Sequence, residues 1–122
     1  MTDDRHIKGA EGEDAAQAFL FNKGFNLLHR NWRNGRYEID LVAEKDGVLH
    51  IVEVKTRKPG AITSPEEAMT RKKFRALCKA AEYYIGLYNL DMEVQFDLIA
   101  IDHDGSGIPD IRYIPDVMSA IW

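Results

Sequence analysis

The stretch YEIDLVAEKDGVLHIVEVKTR, residues 37–57, decides how this chain is read. Two runs rich in β-branched and apolar residues flank Asp46-Gly47, a dipeptide that favours the type I′ turn of a two-residue hairpin. With that loop Lys45 faces Val48, which puts Asp40 opposite Glu53 and Glu38 opposite Lys55. Alternation then sends Glu38, Asp40, Glu53 and Lys55 to one face, and Ile39, Leu41, Val52 and Val54 to the other, the expected core face. Carboxylates directly opposite each other destabilise a sheet. Lys55, diagonal to Asp40, offsets part of that repulsion, and a divalent cation would offset the rest. Two carboxylates at cross-strand distance suit Mg²⁺, a hard cation that takes oxygen ligands and keeps several waters. The Val54 carbonyl adds a further oxygen, and Lys55 would stand beside a metal-bound water and an approaching phosphate. Phosphodiester hydrolysis needs that combination of a nucleophilic hydroxide and neutralised phosphate charge. The competing reading is a solvated hairpin face laced by Glu–Lys pairs.

Outward from the hairpin, helical spacing of Ala15, Ala16, Phe19 and Leu20 predicts a helix from about Glu11 to Lys23, with Gly24 as its left-handed stop. Residues 25–33 read as a strand. Ser64 as N-cap, Pro65 at the first helical position and Glu67 completing a capping box predict a helix running to about Tyr88. Its apolar stripe is Phe74, Leu77, Cys78, Ala81, Tyr84, Ile85 and Tyr88. Residues 92–102 and 110–114 read as strands around a DGSG turn. The order α-β-β-β-α-β-β implies one α/β domain over residues 1–122. Its sheet is mixed, an antiparallel meander followed by a helical crossover to a parallel strand.

The chain has 122 residues, 45% hydrophobic and 30% charged, as expected of a folded globular protein. A single cysteine, Cys78, excludes an internal disulfide and a cysteine-rich zinc site, and fits a cytoplasmic home. An acidic N-terminus without a long apolar run predicts neither a secretory signal nor a membrane association. The net charge of −4 is unevenly spread. Residues 23–88 hold thirteen basic against eight acidic side chains, while both ends are acidic. That segregation fits an electropositive patch on an acidic protein, and equally a chance clustering of solvated charges. Arg33, Arg36, Arg57, Lys58, Lys72 and Lys73 are the candidates for nucleic-acid contact, by way of phosphates. The four histidines lack metal-ligand spacing, and DHDGSG at 102–107 lacks the spacing of a calcium loop.

Asp40 followed by Glu53-Val54-Lys55 resembles the PD-(D/E)XK signature of restriction-endonuclease-like nucleases. With GEDAA at 12–16, NWR at 31–33, EIDLVA at 38–43, VEVKTR at 52–57 and FDLIAI at 96–101, the chain more closely resembles the small bacterial YraN-like family, itself similar to archaeal Holliday-junction resolvases. The resemblance implies a restriction-endonuclease-like fold and Mg²⁺- or Mn²⁺-dependent cleavage of DNA, branched DNA included. It implies metal carboxylates at Asp40 and Glu53, a catalytic Lys55, and an additional acid at Glu13. Without the resemblance, Glu13 is a first-turn acid favoured by the helix dipole. Tyr37 replaces the glycine usual before Glu-Ile-Asp, and Gln95 replaces an arginine common before Phe-Asp. A binding module that retains the fold without turnover, and a purely structural interaction protein, are the other function classes. A homodimer is left open.

Overall fold

A computed structural model describes residues 4–57, 69–103 and 107–118. Asp46 and Gly47 both have positive φ, 52° and 80°, which is the type I′ geometry expected of the hairpin. It joins β2 (Tyr37–Lys45) to β3 (Val48–Arg57) in the expected register, Lys45 facing Val48 and Leu41 facing Val52. β1 (Asn26–Asn34) pairs antiparallel with β2. β4 (Glu93–Asp102) runs parallel to β3, and β5 (Asp110–Ile114) closes the edge antiparallel to β4. The result is a five-stranded mixed sheet in the order β1-β2-β3-β4-β5.

Helix α1 (Asp4–Asn22) packs on one face and α2 (Arg71–Tyr88) on the other. α1 ends as expected at Gly24, whose φ is +88°, and Phe25 N donates back to Leu20 O at 3.0 Å. α2 starts later than expected. Its N-cap is Thr70, whose hydroxyl accepts from Lys73 N at 3.2 Å, so the helix does not run unbroken from Ser64. Ser64, Pro65 and Glu67 lie outside the described residues. The buried stripe of α2 is Phe74, Leu77, Ala80, Ala81 and Tyr84; Cys78 and Ile85 pack at its edge, and Tyr88 is exposed. Asn89, at φ 52°, ends the helix. No described helix is long and apolar enough to cross a membrane.

The expected single core face is the main correction. Because a helix covers each side, both faces of the sheet are apolar, and the interior strand β4 buries Leu98, Ile99, Ala100 and Ile101 in succession. Leu41, Val52 and Val54 pack in the α1 layer with Ala16 and Leu20, as expected of one face. Ile39 instead joins Val42, Leu49, Ile51 and Trp32 in the α2 layer. Alternation is therefore interrupted between Ile39 and Leu41. The neighbouring strand breaks at the same level. Arg30, opposite Leu41, reaches Asp14, Gln17 and the Ala10 carbonyl of α1, whereas Trp32, opposite Ile39, sets its ring 5.3 Å from Tyr84 of α2. Asn31, between them, has φ 54° and turns the strand over.

Asp97 of β4 is fully buried and fully satisfied. It accepts hydrogen bonds from His50 Nδ1 (2.6 Å), the Tyr113 hydroxyl (2.8 Å), Gln95 Nε2 (2.9 Å) and Asp116 N (2.9 Å). Gln95 thus belongs to the network that fixes β4 against β3 and β5. Because four donors converge on this one acceptor group, Asp97→Ala should cost about 3–5 kcal/mol, measured by chemical denaturation.

Candidate active site

Asp40 sits at the break in alternation, one residue beyond the last paired rung of β2 and β3. Its side chain takes over where the ladder stops: Val54 N donates to Asp40 Oδ2 at 2.8 Å. A residue's N–H and C=O point to the same side of an extended strand, so the Val54 carbonyl faces the Asp40 edge as well. Glu53, next along β3, alternates with Val52 and Val54 and so turns to the α2 side. There it comes close to Asp40, and the two carboxyls repel each other. The expected pairing of Asp40 directly opposite Glu53 is not formed, because the ladder ends at Leu41 and Val52; the two carboxyls approach through their side chains instead.

Both carboxyls are raised. Burial pushes Asp40 up to about 6, against the lowering pull of the Val54 hydrogen bond, with repulsion from Glu13 and Glu38 adding to the rise. Burial, then repulsion by Asp40, pushes Glu53 up to about 8, and Lys73 opposes the shift. Only the charged form suffers from desolvation and from a like neighbour, so this pair favours a bound cation or a retained proton.

Glu13 reaches the same region from α1. A Cβ at Gly12 would collide with Thr56 Oγ1, so glycine lets this turn of the helix lie directly on β3. Glu13 is half-buried, close enough to raise Asp40, and its Oε2 is buried without a hydrogen-bond partner among the described residues. No group of three or more Asp, Glu, His or Cys side chains among the described residues is placed to hold a metal ion. The donor set is therefore two converging carboxylates, a backbone carbonyl and a nearby orphaned carboxylate oxygen. All are hard oxygen donors, the ligand type that Mg²⁺ or Mn²⁺ takes.

The expected basic partners are rearranged. Glu38 does not face Lys55 in a ladder; it is exposed and pairs with Arg33 at 3.3 Å across β1 and β2. Lys55, opposite Ala100, is half-buried on the Glu53 side of β3 and makes no hydrogen bond or ion pair among the described residues. The cation that acts on Glu53 is Lys73. It lines a cavity of about 250 Å³ with Glu53, Arg36, Tyr37, Glu38 and Met69. From the sequence Lys73 is a candidate for phosphate contact alone; its place one turn before Leu77 of the buried stripe is the signal for this second role. Arg57 is held by Asp102 through two hydrogen bonds, Nε to Oδ1 at 2.5 Å and Nη2 to Oδ2 at 2.9 Å, so its charge is largely matched within the protein. Arg36 lies over the Tyr37 ring, and Lys72 is exposed on α2. Lys58 lies outside the described residues.

Comparison with known proteins places the chain in a family. Residues 12–101 match the uncharacterised protein family UPF0102. The chain is 40% identical to a UPF0102 protein of Parabacteroides distasonis over 112 residues, 88% of this chain and 93% of the relative. It is 43% identical to UPF0102 protein BF0634 of Bacteroides fragilis over 98 residues, 80% and 81% of the two chains. With a UPF0102 protein of Nitratidesulfovibrio vulgaris the identity is 37% over 107 residues, 87% and 80%. This protein belongs to UPF0102, the YraN-like family that its motifs resemble, and the matched stretch contains Glu13, Asp40, Glu53 and Lys55.

The raised carboxyls set a pH dependence with a definite sign. Folded values above the unfolded ones mean that the native state holds extra protons. The associated stability is present below the ordinary carboxylate range, and is lost as pH rises through about 6 and then about 8. Metal-free protein should therefore melt at a lower temperature at about pH 8.5 than at about pH 5. Glu53→Gln should flatten that slope, as read by thermal melts in chelator across the window.

Proposed function

We propose that this protein is a metal-dependent DNA endonuclease of the restriction-endonuclease-like, PD-(D/E)XK class, acting in the cytoplasm on branched or otherwise structured DNA. The observation that carries this reading is the meeting of Asp40 and Glu53 in a partly buried site beside Lys73, with the Val54 backbone held between them. Two desolvated carboxylates that repel each other are a structural liability, and a cation is the partner that resolves it. The antiparallel meander, the helical crossover to a parallel strand and the hairpin carrying Asp40, Glu53 and Lys55 support the fold assignment.

Asp40, Glu53 and the Val54 carbonyl would hold Mg²⁺ or Mn²⁺, with Glu13 reaching it directly or through water. When bound, the ion acidifies a water and neutralises charge on the scissile phosphate. Lys55, on the Glu53 side of β3, orients the attacking water and offsets charge that develops on the phosphate oxygens. The attacking water gives up a proton to solvent as it bonds to phosphorus, the bridging P–O bond breaks, and the leaving oxygen takes a proton from solvent. Lys73 and Arg36, on the cavity wall, hold the flanking phosphates. Arg33 and Arg57 enter this reading as positioning groups, because Glu38 and Asp102 already hold them.

The test is cleavage of linear, flapped and four-way DNA in Mg²⁺ or Mn²⁺. Wild-type protein should cut at least one of them, and Glu53→Ala should cut none. Lys55→Ala should slow cleavage about 100-fold or more while leaving DNA affinity in Ca²⁺ nearly unchanged, because one phosphate contact among several carries a small share. Wild-type protein that binds DNA and cuts nothing in any divalent metal would establish a binding module with a relict site.

A further inference from the structure

A second concavity adjoins the carboxylate cavity, with Tyr37 as the wall common to both. Its volume is about 500 Å³, and Asn34, Lys79, Glu82, Tyr83 and Leu87 complete its lining. That size lies within the range of small-ligand pockets, about 300–1,000 Å³. Tyr37 and Tyr83 stack across β2 and α2 with ring centroids 5.0 Å apart and planes 28° apart. The Arg36 guanidinium lies 5.4 Å from the Tyr37 centroid. Tyr37 is thus engaged by two neighbours, while Tyr83 is 53% exposed and Leu87 59% exposed. A side-chain atom added at Gly86 would meet nothing within 4 Å, so the floor beneath Tyr83 is open.

Nothing in the packing of the sheet requires an aromatic ring of Tyr83 in water. An exposed tyrosine, backed by a stacked tyrosine and rimmed by Arg36 and Lys79, is the equipment of a stacking platform for a nucleobase whose phosphates run past cations. Bases inside an uninterrupted duplex already stack on their neighbours and cannot reach such a ring. Only an unpaired nucleotide can.

We infer that the groove lined by Tyr37 and Tyr83 receives, on the exposed ring of Tyr83, an unpaired base of the DNA strand whose phosphate lies at the adjoining carboxylate site, so that the preferred substrate has a single-stranded segment beside the scissile bond. The inference rests on the nuclease reading for the identity of that adjoining site. It also makes Tyr37, which stands where a glycine is usual, a functional part of the groove.

The experiment measures binding without cleavage, by fluorescence anisotropy in Ca²⁺ and in chelator. The probes are a labelled oligothymidylate, a flapped duplex and a blunt duplex. Wild-type protein should favour the two probes with unpaired nucleotides. Tyr83→Ala should reduce that preference, the ratio of affinities for unpaired over blunt DNA, by about tenfold, and Tyr83→Phe, which keeps the ring, should retain it. Tyr83 is exposed, so both variants should melt as wild type does, which a thermal scan verifies. Equal affinity of wild-type protein for all three probes, or an unchanged ratio in Tyr83→Ala, would overturn the assignment. A Tyr83-dependent preference in a protein that cuts nothing would support the groove while removing the nuclease reading.

Discussion

The hydrogen bond from Val54 N–H to the Asp40 carboxylate replaces a rung of the β2–β3 ladder at the place where the hairpin stops pairing. Up to Leu41 and Val52 the two strands hold together by backbone pairing, and beyond them a side chain does that work. The substitution has two consequences. It satisfies an amide that would otherwise be left without its ladder partner, and it draws a carboxylate into the sheet rather than out to water. Glu53, fixed beside Val54 on a strand that continues to pair with β4, then has no choice but to meet it.

The two helices turn this local arrangement into a site. α2 covers the face to which Glu53 projects, and its residues Lys73 and Leu77 make that face half apolar and half cationic. α1 lies on β3 at Gly12 and brings in Glu13. Desolvation and like charge raise Asp40 and Glu53 together, while Lys73 restrains Glu53. A sheet with one face open to solvent would have left both carboxylates hydrated and their ordinary acidity intact. Under the proposed nuclease reading, the stability that the pair forgoes is what a bound cation would recover. The rigid floor for all of this is β4, pinned by Asp97 and its four donors.

Much of this architecture was legible in the sequence because short-range chemistry determines it. Asp46-Gly47 specified the turn, the turn specified the register, and Gly24 ended α1 where its left-handed conformation allowed. Counting outward from the loop gave the rungs up to Leu41 and Val52, but not the level of Asp40 and Glu53, where the pairing has ended. Strict alternation failed at Ile39, because the positive φ at Asn31 and the end of pairing at Leu41 are tertiary events that period-2 reasoning cannot anticipate. The buried stripe of α2 was visible in the spacing of Phe74, Leu77, Ala81 and Tyr84, but the approach of Lys73 to Glu53 depends on which face of the sheet the helix covers. Likewise, Asp97 reads as one acid in an apolar strand. Its partners come from positions 50, 95, 113 and 116, and only the assembled sheet brings them together.

The central claim is that Asp40 and Glu53 converge to hold one divalent cation. Crystals grown or soaked with Mn²⁺ and measured at the manganese absorption edge test it without any need for substrate. The account predicts an anomalous peak about 2 Å from carboxylate oxygens of both Asp40 and Glu53, near the Val54 carbonyl, and its disappearance in Asp40→Asn. A peak bound elsewhere on the chain, or an Asp40–Glu53 pair that stays closed on a shared proton in excess Mn²⁺, would contradict it.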